Sequence, residues 1–234
     1  KEMERYRKEF LGNVSHELKT PIFNIQGYVL TLLDGGLADS HINRKYLERT
    51  EKSINRMIGT VEDLEIISKL EAGELTLNME RFNIVGMVED IFEALEERAR
   101  KKSISLEFDK VYERPVWVYA DKKRIYQVLH NLIINSINYG IQHGHTVVAF
   151  SDSGKRVTTW VTDDGIGISQ KDIPRIFERF YRVDKSRSRE QGGTGLGLAI
   201  VKHIIEGHKQ SIKVESSLNK GTTFSFTLDK PTKQ

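Results

Sequence analysis

The feature that most constrains this chain is a change of hydrophobic rhythm some seventy residues along it. Up to about residue 72, apolar side chains recur at three-and-four spacing, the period of an α-helix; beyond it, short β-rich runs alternate with shorter helical stretches. Leu11, Val14, Leu18, Ile22, Ile25, Val29 and Leu32 mark one long amphipathic helix within residues 1 to 34. Gly35-Gly36 stops it, Asp39 or Ser40 caps the next helix, and Leu47, Ile54, Met57, Ile58, Val61, Leu64, Ile67 and Leu70 mark a second. Two helices leave half of each apolar stripe in water. A second copy would cover both stripes, so the pattern predicts a helical hairpin that forms a dimeric four-helix bundle.

After Glu71-Ala72-Gly73, helical periodicity returns at about 83 to 100 and 121 to 138, with β-rich runs at 103–108, 116–119, 146–150, 156–162, 211–216 and 222–228. Most strands come late, which predicts an α/β unit, a mixed sheet with helices on one face. The division expected is 1–78 and 79–234, a reasonable size for two domains. A long basic loop between Asp163 and Gly195 carries Lys171, Arg175, Arg179, Arg182, Lys185, Arg187 and Arg189, and a loop of that length in a compact domain is functional or disordered. Across the chain, 36 basic side chains nearly balance 33 acidic ones, a net charge of +3 that argues against nucleic acid as the main partner. There is no cysteine, which excludes disulfides and thiolate metal sites. No run reaches the roughly 18 apolar residues of a membrane span. The abrupt start in the charged helical stretch Lys1 to Tyr6 suggests a piece of something longer, with any membrane part upstream.

His16, in Ser15-His16-Glu17-Leu18-Lys19-Thr20-Pro21, points away from the stripe defined by Leu11, Val14 and Leu18. A solvated surface histidine is the plain reading. The chemical one is that neutral imidazole is a competent nucleophile when a carboxylate, here Glu17, holds one ring nitrogen and leaves the other free. Thr20 shares the histidine's face, and Pro21 should kink or loosen the helix beside it. Asn131 and Asn135 lie one turn apart on an otherwise apolar helix; besides solvated asparagines they are hard oxygen donors, and Asn135 is the better candidate for Mg²⁺. Asp163, in Asp163-Asp164-Gly165-Ile166-Gly167-Ile168, ends a strand and could accept a hydrogen bond from an exocyclic amine such as adenine's, though D-D-G is also an ordinary turn. Gly192-Gly193-Thr194-Gly195-Leu196-Gly197 opens a helix whose free N–H groups could cradle phosphate, or serves as a hinge. His143-Gly144-His145 could bind a metal adventitiously. Phe177, Phe180 and Tyr181 are expected to anchor the basic loop by packing.

In order along the chain, S-H-E-L-K-T-P, N-x-x-x-N, D-D-G-I-G-I, F-E-R-F-Y-R, G-T-G-L-G-L-A and N-K-G-T-T-F resemble the successive boxes of a sensor histidine kinase. The resemblance implies a dimerisation and histidine-phosphotransfer hairpin followed by an α/β sandwich of the gyrase, Hsp90, histidine kinase and MutL ATP-binding type. It implies His16 as phospho-acceptor, Glu17 as its activating acid/base, and Thr20 as a residue positioning water in a phosphatase reaction. Asn135 would hold Mg²⁺, Asn131 and Tyr139 would line the nucleotide pocket, and Asp163 would bind the adenine amine of ATP. Gly165, Gly167, Gly193, Thr194, Gly195, Leu196 and Gly197 would shape pocket and lid, with Arg182 reaching toward the γ-phosphate and Thr223 near the adenine. The implied partners are a second copy and a response-regulator receiver domain, with the chain as the cytoplasmic portion of an inner or cell membrane protein.

Asn138 stands where such kinases usually carry lysine or arginine, which puts one phosphate contact in question. Lys209-Gln210 and Asn219 replace usual glycines in turns. Two rival readings are an ATPase that phosphorylates no histidine and a dimeric scaffold that only binds nucleotide. The first leaves the outward His16-Glu17-Thr20 group without a role.

Overall fold

The computed structural model describes residues 2–73, 76–183 and 193–231. Helix α1 spans Glu2–Thr31, and α2 spans Asn43–Glu71. Between them Leu32–Gly36 make one wide turn in which Gly35 takes a φ of +95°, so the glycines end the helix as their pattern implies. The Asp39 carboxylate accepts from the His41 N–H and stabilises the turn ahead of α2, which begins at Asn43, beyond both expected caps, Asp39 and Ser40. At this end of the hairpin Tyr28 and Tyr46 pack 5.5 Å apart, with Arg49 over both rings. Helix α1 runs on through Pro21, where the sequence implies a kink or a loosened turn.

The remaining elements are β1 (Met79–Asn83), α3 (Ile84–Lys101), β2 (Ser105–Phe108), β3 (Trp117–Asp121), α4 (Lys122–Tyr139), β4 (His145–Asp152), β5 (Arg156–Asp163), α5 (Gly197–Gly207), β6 (Ile212–Ser217) and β7 (Gly221–Asp229). Their sheet runs β1-β3-β7-β5-β4-β2, with β6 also paired to β7. Only β2–β4 is parallel, so the sheet is mixed, as the late clustering of strands predicts. Strand β1 escaped the sequence reading because Met79-Glu80-Arg81-Phe82-Asn83 buries a single side chain, Phe82, and an edge strand needs no alternation.

Two caps set the helices that matter most. Asn83 accepts from the Val85 and Val116 N–H groups at the start of α3, and Asp121 accepts from those of Arg124 and Asn78 at the start of α4. Inward side chains such as Val161, Phe224 and Phe226 on the sheet meet Ile125, Leu129, Leu132 and Ile133 of α4 and Ile200 and Ile204 of α5 in one core. Ile67 of α2 is fully buried in that same core. The last turns of the hairpin are therefore built into the second unit, ahead of the sequence boundary at residue 78.

Candidate functional site

His16 lies on the exposed side of α1. Its neighbour Glu17 is turned inward, with its side chain 14% exposed. There its carboxylate meets Arg56 of α2 at 3.3 Å and Arg182 of the long loop at 3.0 Å. The expectation that Glu17 holds a ring nitrogen of His16 is corrected here, because consecutive helical residues do not face one another and this carboxylate is committed to two guanidinium groups. Thr20 donates its hydroxyl to the His16 carbonyl at 3.3 Å, one turn back along α1.

Facing α2 across a cleft of about 2080 Å³ are Asn131, Asn135, Asn138 and Tyr139 of α4 together with Gly193, Thr194, Gly195 and Gly197. Helical spacing puts the three asparagines along one side of α4. Asn131 donates to the Gly197 carbonyl at 3.5 Å, joining α4 to the start of α5. The Asn135 amide has no hydrogen-bond partner among the described residues, so its carbonyl oxygen is open to a hard cation that keeps phosphate and water as its other ligands. Thr194 receives the Leu196 N–H at 3.2 Å and donates to Asp63 of α2 at 3.3 Å. Leu196 itself is fully buried, so its side chain packs the core instead of touching a ligand. Burial raises the Asp63 carboxyl to about 6, with the Thr194 hydrogen bond opposing.

Asp163, Gly165 and Gly167 do not line that cleft. They connect to it through Tyr139, whose carbonyl accepts from the Ile166 N–H at 3.1 Å. Burial raises the Asp163 carboxyl to about 6, partly offset by hydrogen bonds from the backbone N–H groups of Gly165 and Thr222. Thr222 is the β7 residue directly opposite Asp163, and Thr223 pairs with Thr162, where the two hydroxyls lie 3.1 Å apart. Side chains alternate along a strand, so Thr223 is on the other face from Asp163, while Thr222 shares its face. Behind the turn, Gly167 at φ +67° has Ser217 O 1.9 Å from where a Cβ would sit, and Gly221 at φ +92° has Asp163 O equally close. Both positions therefore require glycine.

The long loop is fastened at several points. Asp172 accepts from Ser169 and from Tyr181, whose ring lies under Arg175, while Phe177 meets Phe224 of β7. Phe180 goes to the hairpin, packing 5.8 Å from Phe10. Lys185, Arg187, Arg189 and Gly192 lie outside the described residues. His145 pairs with Asp164 at 2.9 Å, and no cluster of three or more metal-binding side chains occurs among the described residues.

Sequence reasoning missed Arg56, Asp63, Arg98 and Gly221. Arg56, Thr60 and Asp63 follow helical spacing on α2, and Thr60 is nearly fully buried. Polar side chains along a line normally mean a solvated face, whereas here Arg56 meets Glu17 of α1 and Asp63 meets Thr194 of the second unit. Gly221 had a signal in Asn219-Lys220-Gly221-Thr222-Thr223-Phe224, where a glycine ends a turn and opens a strand.

Two family models match the chain in sequence: the His Kinase A (phospho-acceptor) domain over residues 6–73, and the Histidine kinase-, DNA gyrase B-, and HSP90-like ATPase over 120–232. Sensor histidine kinase WalK of Bacillus subtilis is 37% identical over 229 residues, covering 97% of this chain. The chain spans 37% of the length of that relative. Among solved structures, the Acinetobacter baumannii histidine kinase AdeS matches at a TM-score of 0.72 and 30% identity, over 92% of this chain and 98% of that one. The histidine kinase ThkA, in complex with response regulator protein TrrA, matches at 0.72 and 26% identity, over 99% of this chain and 64% of that one. A phospho-acceptor hairpin preceding an ATPase sheet, matched along nearly all of the solved AdeS chain, makes this chain a member of the sensor histidine kinases, the protein-histidine kinases of two-component systems.

Proposed function

We propose that the chain transfers the γ-phosphoryl group of ATP to His16 and then to an aspartate of a response-regulator receiver domain. The observation that carries this reading is the pairing of Glu17, adjacent to His16, with Arg182 of the loop over the nucleotide cleft, their side chains 14% and 7% exposed. It ties the nucleotide side of the molecule to the acceptor side. Exposed His16 offers a neutral ring nitrogen to the γ-phosphorus, the N–P bond forms as the bond to the ADP oxygen breaks, and the proton on the other ring nitrogen leaves to solvent. Asn131, Asn135 and Tyr139 face the phosphates, and the Asp163 carboxylate takes the adenine amine. Asn135 would hold Mg²⁺, which when bound neutralises charge between the phosphates.

Leu11, Leu30, Leu33, Leu47, Ile58 and Val61 remain exposed on the single hairpin, which supports a homodimer that covers them in a four-helix bundle. The ThkA–TrrA complex supports a receiver domain as the next acceptor. Thr20 would orient water for the reverse dephosphorylation of the regulator. The relatives are sensor proteins, and no described helix of this chain is long and apolar enough to cross a membrane, so we place the chain on the cytoplasmic side of a membrane-anchored kinase, divided as 1–78 and 79–234.

Incubation with γ-labelled ATP should leave label on the protein that survives alkali, is lost in acid and is absent from His16→Gln. Label retained in His16→Gln would move the acceptor elsewhere. Release of phosphate with no labelled protein would favour the plain ATPase.

A further inference from the structure

Asn138 follows Asn131 and Asn135 along the cleft side of α4, is nearly buried, and carries no charge. Its amide oxygen accepts a hydrogen bond from Nη2 of Arg98, on α3, at 2.9 Å. Arg98 also lines the cleft. It is set there by Leu95 and Ala99, whose burial fixes which side of α3 packs inward. One turn on, Lys102 donates to the carbonyls of Ile137 at 2.9 Å and Asn138 at 2.6 Å, so that cation is used on the C-terminal end of α4.

Arg98 is differently placed. A guanidinium has five N–H donors and the Asn138 bond uses one, while no carboxylate pairs with Arg98 among the described residues. Several other cations around the cleft are already engaged: Lys101 with Glu97 at 2.8 Å, and Arg56 and Arg182 with Glu17. The charge of Arg98 is felt inside the cleft, where burial first and Arg98 second lower the pKa of His130. A fork of donors, fixed at one corner and open at the others, suits phosphate oxygens, which it can bind two at a time.

We infer that Arg98 binds the phosphate chain of the nucleotide, and that Asn138 is the positioning residue that holds it there. This rests on the cleft being the ATP site. The α4 asparagine thus orients a cation supplied by the neighbouring helix instead of bringing one itself.

The test compares ATP and adenosine affinities of the whole chain, because adenosine carries the base and sugar without the phosphates. Arg98→Ala should weaken ATP binding about ten- to a hundredfold and leave adenosine unchanged. Adding Asn138→Lys to Arg98→Ala should restore most of the loss by placing a cation at the same point. Asn138→Ala should cost less than Arg98→Ala, and the double alanine variant no more than Arg98→Ala alone, as expected of residues acting through one contact. Undiminished ATP affinity in Arg98→Ala, or an equal fall for adenosine, would overturn the inference while leaving the nucleotide site standing. A wild-type chain that binds neither ligand would overturn the site and the inference together.

Discussion

At the scale of single residues, the chemistry depends on how a few polar groups are held. Burial raises the Asp163 carboxyl to about 6. For a carboxyl whose folded pKa lies above its unfolded value, the contribution to stability is present below the unfolded pKa and is lost as pH rises through about 6. The base contact proposed for Asp163 has the opposite sign, because an adenine amine would bond best to the ionised form. Adenosine affinity, chosen because adenosine has no titrating phosphate, should fall about tenfold between pH 7.5 and pH 5, and the dependence should flatten in Asp163→Asn. A pH profile identical in the two proteins would remove Asp163 from the base contact. Thr20 allows a second test. Among the described residues its hydroxyl bonds only to a main-chain carbonyl, so Thr20→Ala should leave self-labelling nearly intact while regulator dephosphorylation falls roughly ten- to a hundredfold. Equal losses in both rates would refute that division.

Among the elements, the β5–β7 pair decides the surroundings of Asp163. Its register sets Asp163 opposite Thr222, and the turn after β5 closes against the start of β7 through Gly221. A methyl group at 221 would lie within bonding distance of the Asp163 carbonyl oxygen on a backbone at φ +92°. Gly221→Ala should therefore destabilise the fold by roughly 2 to 5 kcal/mol, the sum of a left-handed backbone penalty and overpacking. Denaturant unfolding would show this as a lower midpoint at unchanged slope. A midpoint equal to wild type would mean that the turn moves freely. The same pair places Thr223 opposite Thr162, on the other face from Asp163, because in a strand one residue changes the face.

For the whole molecule, the hairpin and the sheet unit are held together by the pair of Glu17 with Arg182, by Phe10 against Phe180, and by the bond from Thr194 to Asp63. Burial raises Asp63 to about 6, so its contribution to the docked arrangement is present below the unfolded carboxyl pKa and is lost as pH rises through about 6. The chain has no cysteine, so spin labels at introduced cysteines on exposed Glu51 and Ser153 would report the distance between the two units. The docked population should be larger at pH 5 than at pH 7.5, and Asp63→Asn should remove much of that difference. If the variant kept the full pH dependence, other groups would have to account for it.

What the sequence determined by itself were the features carried by local chemistry. The three-and-four spacing placed both hairpin helices, Gly35-Gly36 placed the turn between them, and six of the seven strands followed from β-rich runs. The ordered boxes from His16 to Phe224 sufficed to recognise the family. Only the tertiary structure decided where Glu17 points, that Arg56 meets it and Asp63 faces the second unit, that Ile67 belongs to the core of the sheet, and that Asn138 meets a guanidinium from 40 residues upstream. Each of these depends on contacts between elements far apart in the chain. A helix's own periodicity says which side is polar, but whether that side meets water, a carboxylate or a guanidinium depends on what packs across from it.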